Sequence, residues 1–505
     1  MNKNLKNFFK PLKNKILLIL AVFLSLFPRS IDFLNQNPIF GFDQGREYLA
    51  AQNILINHKL TLIGTEIGAG VAGVSGIFHG PIYYYLLTIP FFIFKGNPAG
   101  GVSLLLFFGL LAVFLGYYLG QKLFGLYGGI LVAILISISP VLIAQSRFIW
   151  SPNGTALFIL ISFYFTYLYI KEEKSYQLFL SSFFAGFIYN FELAISVPLS
   201  LALILFSIFL IKRNFRHYFY LFIGFIIAYL PMIFFELRHG FLGVRGIINY
   251  LFSHKNYLSN SYFNLLGDHL NAFISNFYTA FPMLSFYFSY LFIIIVLFGS
   301  IYFVYKEKKR SLKLFIIFLL ILIPVNFLIF SFLRNAVYDY YLVDLSIGYI
   351  LLFSYVVYSV FKRKNKSLIL LSSLLLFIFV SFALISSIKT SIYDFSDYGA
   401  TAKLKGKVDA IDFIYKDAKG QKFNLLVFAP PVYTYPYDYI ISWYGKEKYG
   451  FIPGKQKQGK TYLLIEKDPS KPWSYEGWLK TVIKNGKIIK TVTLPSGFIV
   501  QEREM

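Results

Sequence analysis

The chain has 505 residues, of which 57% are hydrophobic, 20% aromatic and only 14% charged. Soluble domains carry about 25% charged residues, so a water-soluble globular protein is excluded and a multi-span membrane protein is expected. The absence of cysteine rules out disulfides, thiolate metal sites and cysteine nucleophiles. The net charge of +24 does not point to nucleic acid, because much of the excess Lys and Arg lies in short clusters between apolar runs, the positive-inside pattern.

In chain order, Lys3, Lys6, Lys10, Lys13 and Lys15 precede the apolar run Ile16–Phe27. This resembles a signal peptide, but no small-residue cleavage site follows, so an uncleaved first span is expected. Further basic clusters lie at Lys171–Lys174, Lys212–Arg216, Lys306–Lys313 and Lys362–Lys366. If all are cytoplasmic, an even number of spans separates each pair. The later intervals satisfy this, with Tyr176–Ile211 counted as two spans broken at Asn190-Phe191-Glu192.

The first interval holds one candidate too many. Its weakest member, Ile82–Phe94, follows Pro81, contains Pro90 and at ~1.5 Å per residue falls short of the ~30 Å hydrocarbon core. It is expected to lie at the outer interface or re-enter. The fold class predicted is thus an α-helical polytopic membrane protein of about 11 transmembrane helices with a small C-terminal α+β extracytoplasmic domain. The boundaries are 1–388 for the membrane part and 389–505 for the tail. Within the first lie an outer loop at 35–80, the interfacial helix at 81–95 and an outer lid loop at 237–283 containing Arg238, Arg245, His254 and Lys255. In the tail, Ala400–Tyr415 reads as a helix, and Asn424–Ala429, Thr461–Glu466 and Lys487–Thr493 read as strands.

Under this topology the spans are nearly free of charge, and the ionisable groups gather at their outer ends: Asp32, Asp43, Arg147, Glu192, Glu236, Arg238, Arg334, Asp339 and Asp344. A transporter places such groups near the midplane. Convergence on one face fits an enzyme with a cavity at that interface, and a polysaccharide or lipid exporter is the alternative. The glycines of 64–76 do not open a helix after a strand, so they read as a flexible loop and not as a nucleotide site. The tyrosine run around Pro430–Tyr437 suits stacking on sugar faces.

Several short motifs resemble those of the GT-C membrane glycosyltransferases, in particular the dolichyl-phosphate-mannose–protein mannosyltransferase and aminoarabinose transferase group. Phe42-Asp43-Gln44-Gly45-Arg46-Glu47-Tyr48 is similar to that group's Asp-containing first-loop motif. His79-Gly80-Pro81-Ile82-Tyr83-Tyr84 looks like its His-Pro-Pro-Leu-Tyr-Tyr box, and Ser146-Arg147-Phe148 like the Ser-Arg-Phe of its second outer loop. Glu236-Leu237-Arg238-His239-Gly240-Phe241 resembles a box of bacterial members.

The resemblance implies a sugar donor linked to polyprenyl phosphate, transfer at the extracytoplasmic face, and Asp43 as general base on the acceptor hydroxyl. Arg147, Arg238 and Arg245 are then candidates for the departing phosphate, since an anion needs cations. Gln44, Arg46, Glu47, His79, Asn153, Glu236 and Tyr340 are candidate substrate or acceptor contacts. Where many relatives carry acids, this chain has Gln44 after Asp43 and Asn153 after Arg147-Phe148-Ile149-Trp150-Ser151-Pro152. Amides bind metal weakly, so no cofactor is expected and a divalent cation is not favoured. The expected partners are the polyprenyl-phosphate sugar, a protein, glycolipid or polysaccharide acceptor, and membrane lipids, with no nucleic acid. The expected location is the plasma or inner membrane, with the N-terminus cytoplasmic and the tail outside. Sugar and stereochemistry stay open.

Overall fold

The computed structural model describes residues 3–67, 76–210, 215–252, 262–281, 286–363, 366–430 and 433–505. Much of the glycine-rich loop, part of the basic cluster at 212–216, His254 and Lys255, and Pro431 and Val432 lie outside the described residues.

The protein is a polytopic helical bundle with a small sheet at its C-terminal end. Among the described residues six helices are long and apolar enough to cross a bilayer: Ile16–Leu34, Ala99–Ile138, Ser151–Glu172, Arg310–Ser331, Val343–Lys362 and Lys366–Ser396. A bent pair, Phe215–Ala228 and Leu230–Arg238 at 63°, makes a seventh, and Ile82–Ile93, Leu193–Phe209 and Tyr290–Lys306 are shorter apolar helices. Ala99–Ile138 is itself a hairpin. Gly125 sits at φ 79°, ψ −175°, a conformation open in practice only to glycine. The arms beyond it close tightly: a Cβ on Gly129 would lie 2.7 Å from the Tyr117 carbonyl oxygen, and one on Gly116 2.3 Å from Ile136. Small residues let the two backbones approach, as is usual between helices in lipid.

The basic clusters meet at one end of the bundle. Arg310 reaches Glu173 at 3.4 Å and Lys362 reaches Glu307 at 3.4 Å, and His217 Nδ1 lies 2.7 Å from the Tyr169 hydroxyl. Helix Thr155–Glu172 connects that end to Ser151 at the other. Its 18 residues amount to roughly 27 Å at 1.5 Å each, close to one hydrocarbon thickness.

At the far end Ile82–Ile93 is a 12-residue helix. Its inner face buries Tyr83, Tyr84, Leu87 and Phe91, while Ile89, Phe92 and Ile93 are exposed. An apolar outward face suits contact with lipid. Segment 237–283, expected as a loop, is largely two helices, Leu242–Phe252 and Tyr262–Ala280. The second buries Leu265, His269, Phe273, Asn276, Phe277 and Ala280, a 3.6-residue stripe. Asn276 Oδ1 accepts from the Ser346 hydroxyl at 3.1 Å and Phe277 meets Tyr349 at 5.0 Å. This half is packed against Val343–Lys362.

In the tail, helix Leu404–Asp417 packs near a four-stranded sheet of order β1-β2-β4-β3. β1 is Asn424–Phe428, β2 Lys460–Ile465, β3 Lys487–Thr493 and β4 Ile499–Glu504. β1 pairs parallel with β2, and β4 runs antiparallel to both β2 and β3. β4 escapes a reading of the sequence because its second half, Gln501-Glu502-Arg503-Glu504, looks like a solvated terminus.

The tail docks on the loop that follows the first span. Phe40 N donates to the Ala402 carbonyl at 3.1 Å, Leu404 N to Pro38 O at 3.0 Å and Lys405 N to Asn37 Oδ1 at 2.9 Å. Trp443 Nε1 donates to Lys95 O at 2.9 Å. The Tyr439 ring lies 5.1 Å from that of Tyr48 and 5.8 Å from that of Phe40.

Candidate active site

The site is built around the first turns of helix Phe42–Leu55, whose N-terminal amides and dipole favour a carboxylate. Asp43 stands in that first turn. Its Oδ1 accepts from Arg46 Nη2 at 2.6 Å, one turn on. Arg46 also lies over the Phe42 ring at 5.1 Å. Burial raises the Asp43 carboxyl above the usual carboxylate range, while the Arg46 guanidinium pulls it back. No other described side chain bonds to Asp43.

The neighbouring side chains hold the helix in place. Gln44 is 2% exposed; its Oε1 accepts from Gly41 N at 2.9 Å and its Nε2 donates to the Ile149 carbonyl at 2.8 Å. The first contact is the backward half of a capping box; the second ties the helix to the second loop, around Ile149. Glu47 is fully buried and its Oε1 accepts from Ser151 N at 3.2 Å. Burial pushes its carboxyl well above the ordinary range, against the pull of Arg46. Two carboxyls one turn apart thus differ in environment, Asp43 partly open beside a cation and Glu47 enclosed, a separation that divides acid and base roles. Asn153 donates from Nδ2 to Phe148 O at 2.7 Å, which shapes the same loop.

His79 closes the first loop against the broken span. Its Nδ1 accepts from Leu193 N at 3.3 Å, and Gly80 N donates to Tyr189 O at 3.1 Å. Burial, with Arg46 nearby, lowers His79 to about 3, so the ring is neutral at physiological pH and serves as an acceptor here. Gly80 is required: a Cβ would stand 2.0 Å from Asn190 Oδ1. Glu192 is buried and accepts from Ala194 N at 3.0 Å, capping the helix that follows.

The remaining sequence candidates divide. Glu236 accepts from Gly243 N at 2.9 Å and Val244 N at 3.2 Å, so its carboxylate is spent capping helix Leu242–Phe252. Arg238 and Arg245 are exposed near that cap, and Arg245 Nη2 donates to the Gly240 carbonyl. The Phe235 ring meets Phe78 at 5.3 Å, which brings this box beside the His79 loop. Arg147, a candidate for phosphate, is held by Asp32 at 2.8 Å and Asp394 at 2.6 Å. Two carboxylates already neutralise its charge, and the cation beside Asp43 is Arg46.

Tyr340 lies 4.4 Å from Trp150, and both border a cavity of about 560 Å³ that also touches Asp32, Arg147, Asn153 and Asp394. Asp344 accepts from Asn326 Nδ2 at 2.9 Å inside the bundle. Among the described residues no group of three or more His, Asp or Glu side chains could hold a metal ion.

Reading the sequence missed Arg29 and Asp394. Arg29 is fully buried in the first span and donates to Ser137 O at 2.8 Å, Ile136 O at 2.9 Å and Ser146 Oγ at 3.1 Å. A lone Arg between Pro28 and Ser30 was its signal, since a charge inside a span marks a specific partner. Asp394 falls beyond the apolar part of the last helix and looks like a linker residue.

Gly45 shows how tightly the tail is fitted. A Cβ there would lie 2.3 Å from Pro436 N, and backbone cannot yield as a side chain can. Gly45→Ala is expected to loosen the tail from helix Phe42–Leu55. Limited proteolysis in detergent should then cut between 389 and 403 far faster than in the unaltered protein; an unchanged cleavage rate would show that the docking tolerates the methyl group.

No protein-family model matches the chain, and no curated protein matches it. Among solved structures it is similar to ArnT from Cupriavidus metallidurans bound to undecaprenyl phosphate, with a TM-score of 0.58 at 10% identity over 96% of this chain and 97% of that one. The apo state of the same protein gives 0.57 at 11% identity over the same shares. At this identity the likeness is one of architecture, and it runs from end to end: the chain has the polytopic fold of ArnT, an aminoarabinose transferase of the GT-C type.

Proposed function

We propose that the protein is a membrane glycosyltransferase that moves a sugar from a polyprenyl-phosphate donor to an acceptor at the extracytoplasmic face, with Asp43 as general base. The observation that carries this reading is the Asp43–Arg46 pair at the start of a helix, within a fold shared along its whole length with ArnT. The ligand bound to ArnT in that structure, undecaprenyl phosphate, supports a donor of the same chemical class. No observation favours the exporter.

In the proposed reaction the acceptor hydroxyl gives its proton to Asp43 as its oxygen bonds to the sugar's anomeric carbon. The bond from that carbon to the phosphate oxygen breaks, and its electron pair leaves with the polyprenyl phosphate. Arg46, beside Asp43, and Arg238 and Arg245, near the His79 loop, supply the positive charge for the leaving group. A phosphate is a good leaving group, so the step does not require a protein acid. Glu47, His79 and Gln44 keep helix, first loop and second loop in register.

General-base catalysis contributes typically 10²–10⁴-fold. Asp43→Asn in membranes supplied with labelled polyprenyl-phosphate sugar should lose activity on this scale with donor binding retained; full transfer would remove Asp43 from the role. The pH profile gives a second test. Below its raised pKa Asp43 is protonated and cannot accept the proton, so transfer should fall on the acid side above the ordinary carboxylate value of about 4. Arg46→Gln removes the group that pulls this pKa down, so the acid limb should move to higher pH. A limb that stays or moves lower would contradict the pairing.

The orientation proposed places the basic end in the cytoplasm and the tail outside. The chain has no cysteine, so single cysteines report sidedness cleanly. In intact cells (outer envelope permeabilised where present), an impermeant maleimide should label Lys467→Cys and spare Lys308→Cys. The reverse pattern would invert the topology.

A further inference from the structure

The cavity of about 560 Å³ beside Arg147 is not lined by Asp43, and its chemistry is unsuited to a phosphate. Three carboxylates, Asp32, Asp339 and Asp394, border it, against a single cation, Arg147. That cation is already bonded to two of the three. A phosphate entering here would meet a net negative wall at short range, where burial magnifies repulsion.

The wall offers unspent acceptors instead. The Asp339 carboxylate has no described hydrogen-bond partner, and neither does the side-chain oxygen of Asn153, whose amide donates to Phe148 O. Gln145 is 5% exposed and neither its Oε1 nor its Nε2 has a partner. Buried polar groups normally find partners and Gln145 has none, while Asp339 and Asn153 are half-buried at the cavity wall; a ligand rich in hydroxyl or amine donors would complete this set.

The other surfaces fix the rest of the ligand. Trp150 and Tyr340 present aromatic rings, on which the C–H faces of a sugar pack well. Pro140, Val141, Ile143 and Ala144 form an apolar side. The facing helix, Lys366–Ser396, turns Ser386, Ser387, Thr390, Ser391 and Asp394 toward the cavity. Its opposite side exposes Leu371, Leu374, Leu375 and Ile378, a surface suited to hydrocarbon. The cavity thus lies between a polar stripe and the bilayer's edge.

We infer that this cavity binds a membrane amphiphile with a sugar headgroup that carries no phosphate, the headgroup donating to Asp339, Asn153 and Gln145 and the tail lying along residues 140–144. The inference does not depend on the transferase reading, because binding can be measured without transfer.

The test uses the full chain in lipid nanodiscs with tritiated octyl glucoside as probe, below its micellar concentration. Saturable binding is expected. Octanol, the same chain without the sugar, and lysophosphatidic acid, with a phosphate in its place, should compete at least tenfold more weakly than unlabelled octyl glucoside. Gln145→Leu and Asp339→Ala should each weaken binding about tenfold, the scale on which loss of one hydrogen bond acts. Gln145→Leu should not lower Tm, since it removes unpaired polar atoms. Asp43→Asn, in the separate site, should bind normally. Equal competition by octanol would reduce the cavity to an apolar groove, and equal competition by lysophosphatidic acid would make it a phosphate site. Unchanged binding in both cavity variants would place the probe elsewhere. Any of these results overturns the inference.

Discussion

The contact on which the arrangement depends is the seat of Pro436 on Gly45. With only hydrogen at residue 45, the tail's backbone reaches the helix that carries Asp43, and no side chain could fit between them. Around that point Phe42 meets Tyr433 and Tyr435 at 5.5 and 5.3 Å, and Tyr48 meets Tyr439. On the opposite side Gln44 and Glu47 hold the backbone at 149 and 151. A helix only 14 residues long would be marginal alone; clamped between tail and second loop, it presents Asp43 and Arg46 in a fixed geometry. Preorganisation of this kind is what electrostatic catalysis requires.

The clamp also explains how two sets of opposite charges coexist at one membrane face. Asp43 and Arg46 form one pair. Asp32, Arg147 and Asp394 form another, joining the end of the first span, the second loop and the end of the last helix. The second set consumes its own arginine and leaves an excess of carboxylate. The Asp43 set, with Arg238 and Arg245 exposed near the same loop, leaves an excess of cation.

Much of this order was readable in the sequence. Span ends, the clustering of basic residues and the common face of Asp43, His79 and Arg147 follow from hydropathy and charge, because the bilayer imposes them on every segment independently. The helical nature of 262–280 was equally present, as apolar residues spaced by 3.6, but hidden by the polar residues that flank it. Pairings that join distant segments were not readable. Arg147 carries the marks of an anion-binding arginine, and only the fold shows Asp394, 247 residues later, bonded to it. Glu236 likewise resembles a ligand contact until the helix it caps is seen.

The two departures from the resembling family find a local reason. Gln44 must accept from Gly41 N and donate to Ile149 O at once, and a carboxylate can do only the first. Glutamate at 44 would set negative charge against a carbonyl oxygen in a site 2% exposed, where an unmet acceptor is costly. Asn153 uses only the donor half, since its Nδ2 donates to Phe148 O, which a carboxylate could not do. Both amides therefore fasten the second loop, one from the neighbouring helix and one from within the loop. In this chain, Gln44 and Asn153 supply donors that hold Ile149 and Phe148, the stretch of backbone between Asp43 and the acceptor-rich cavity.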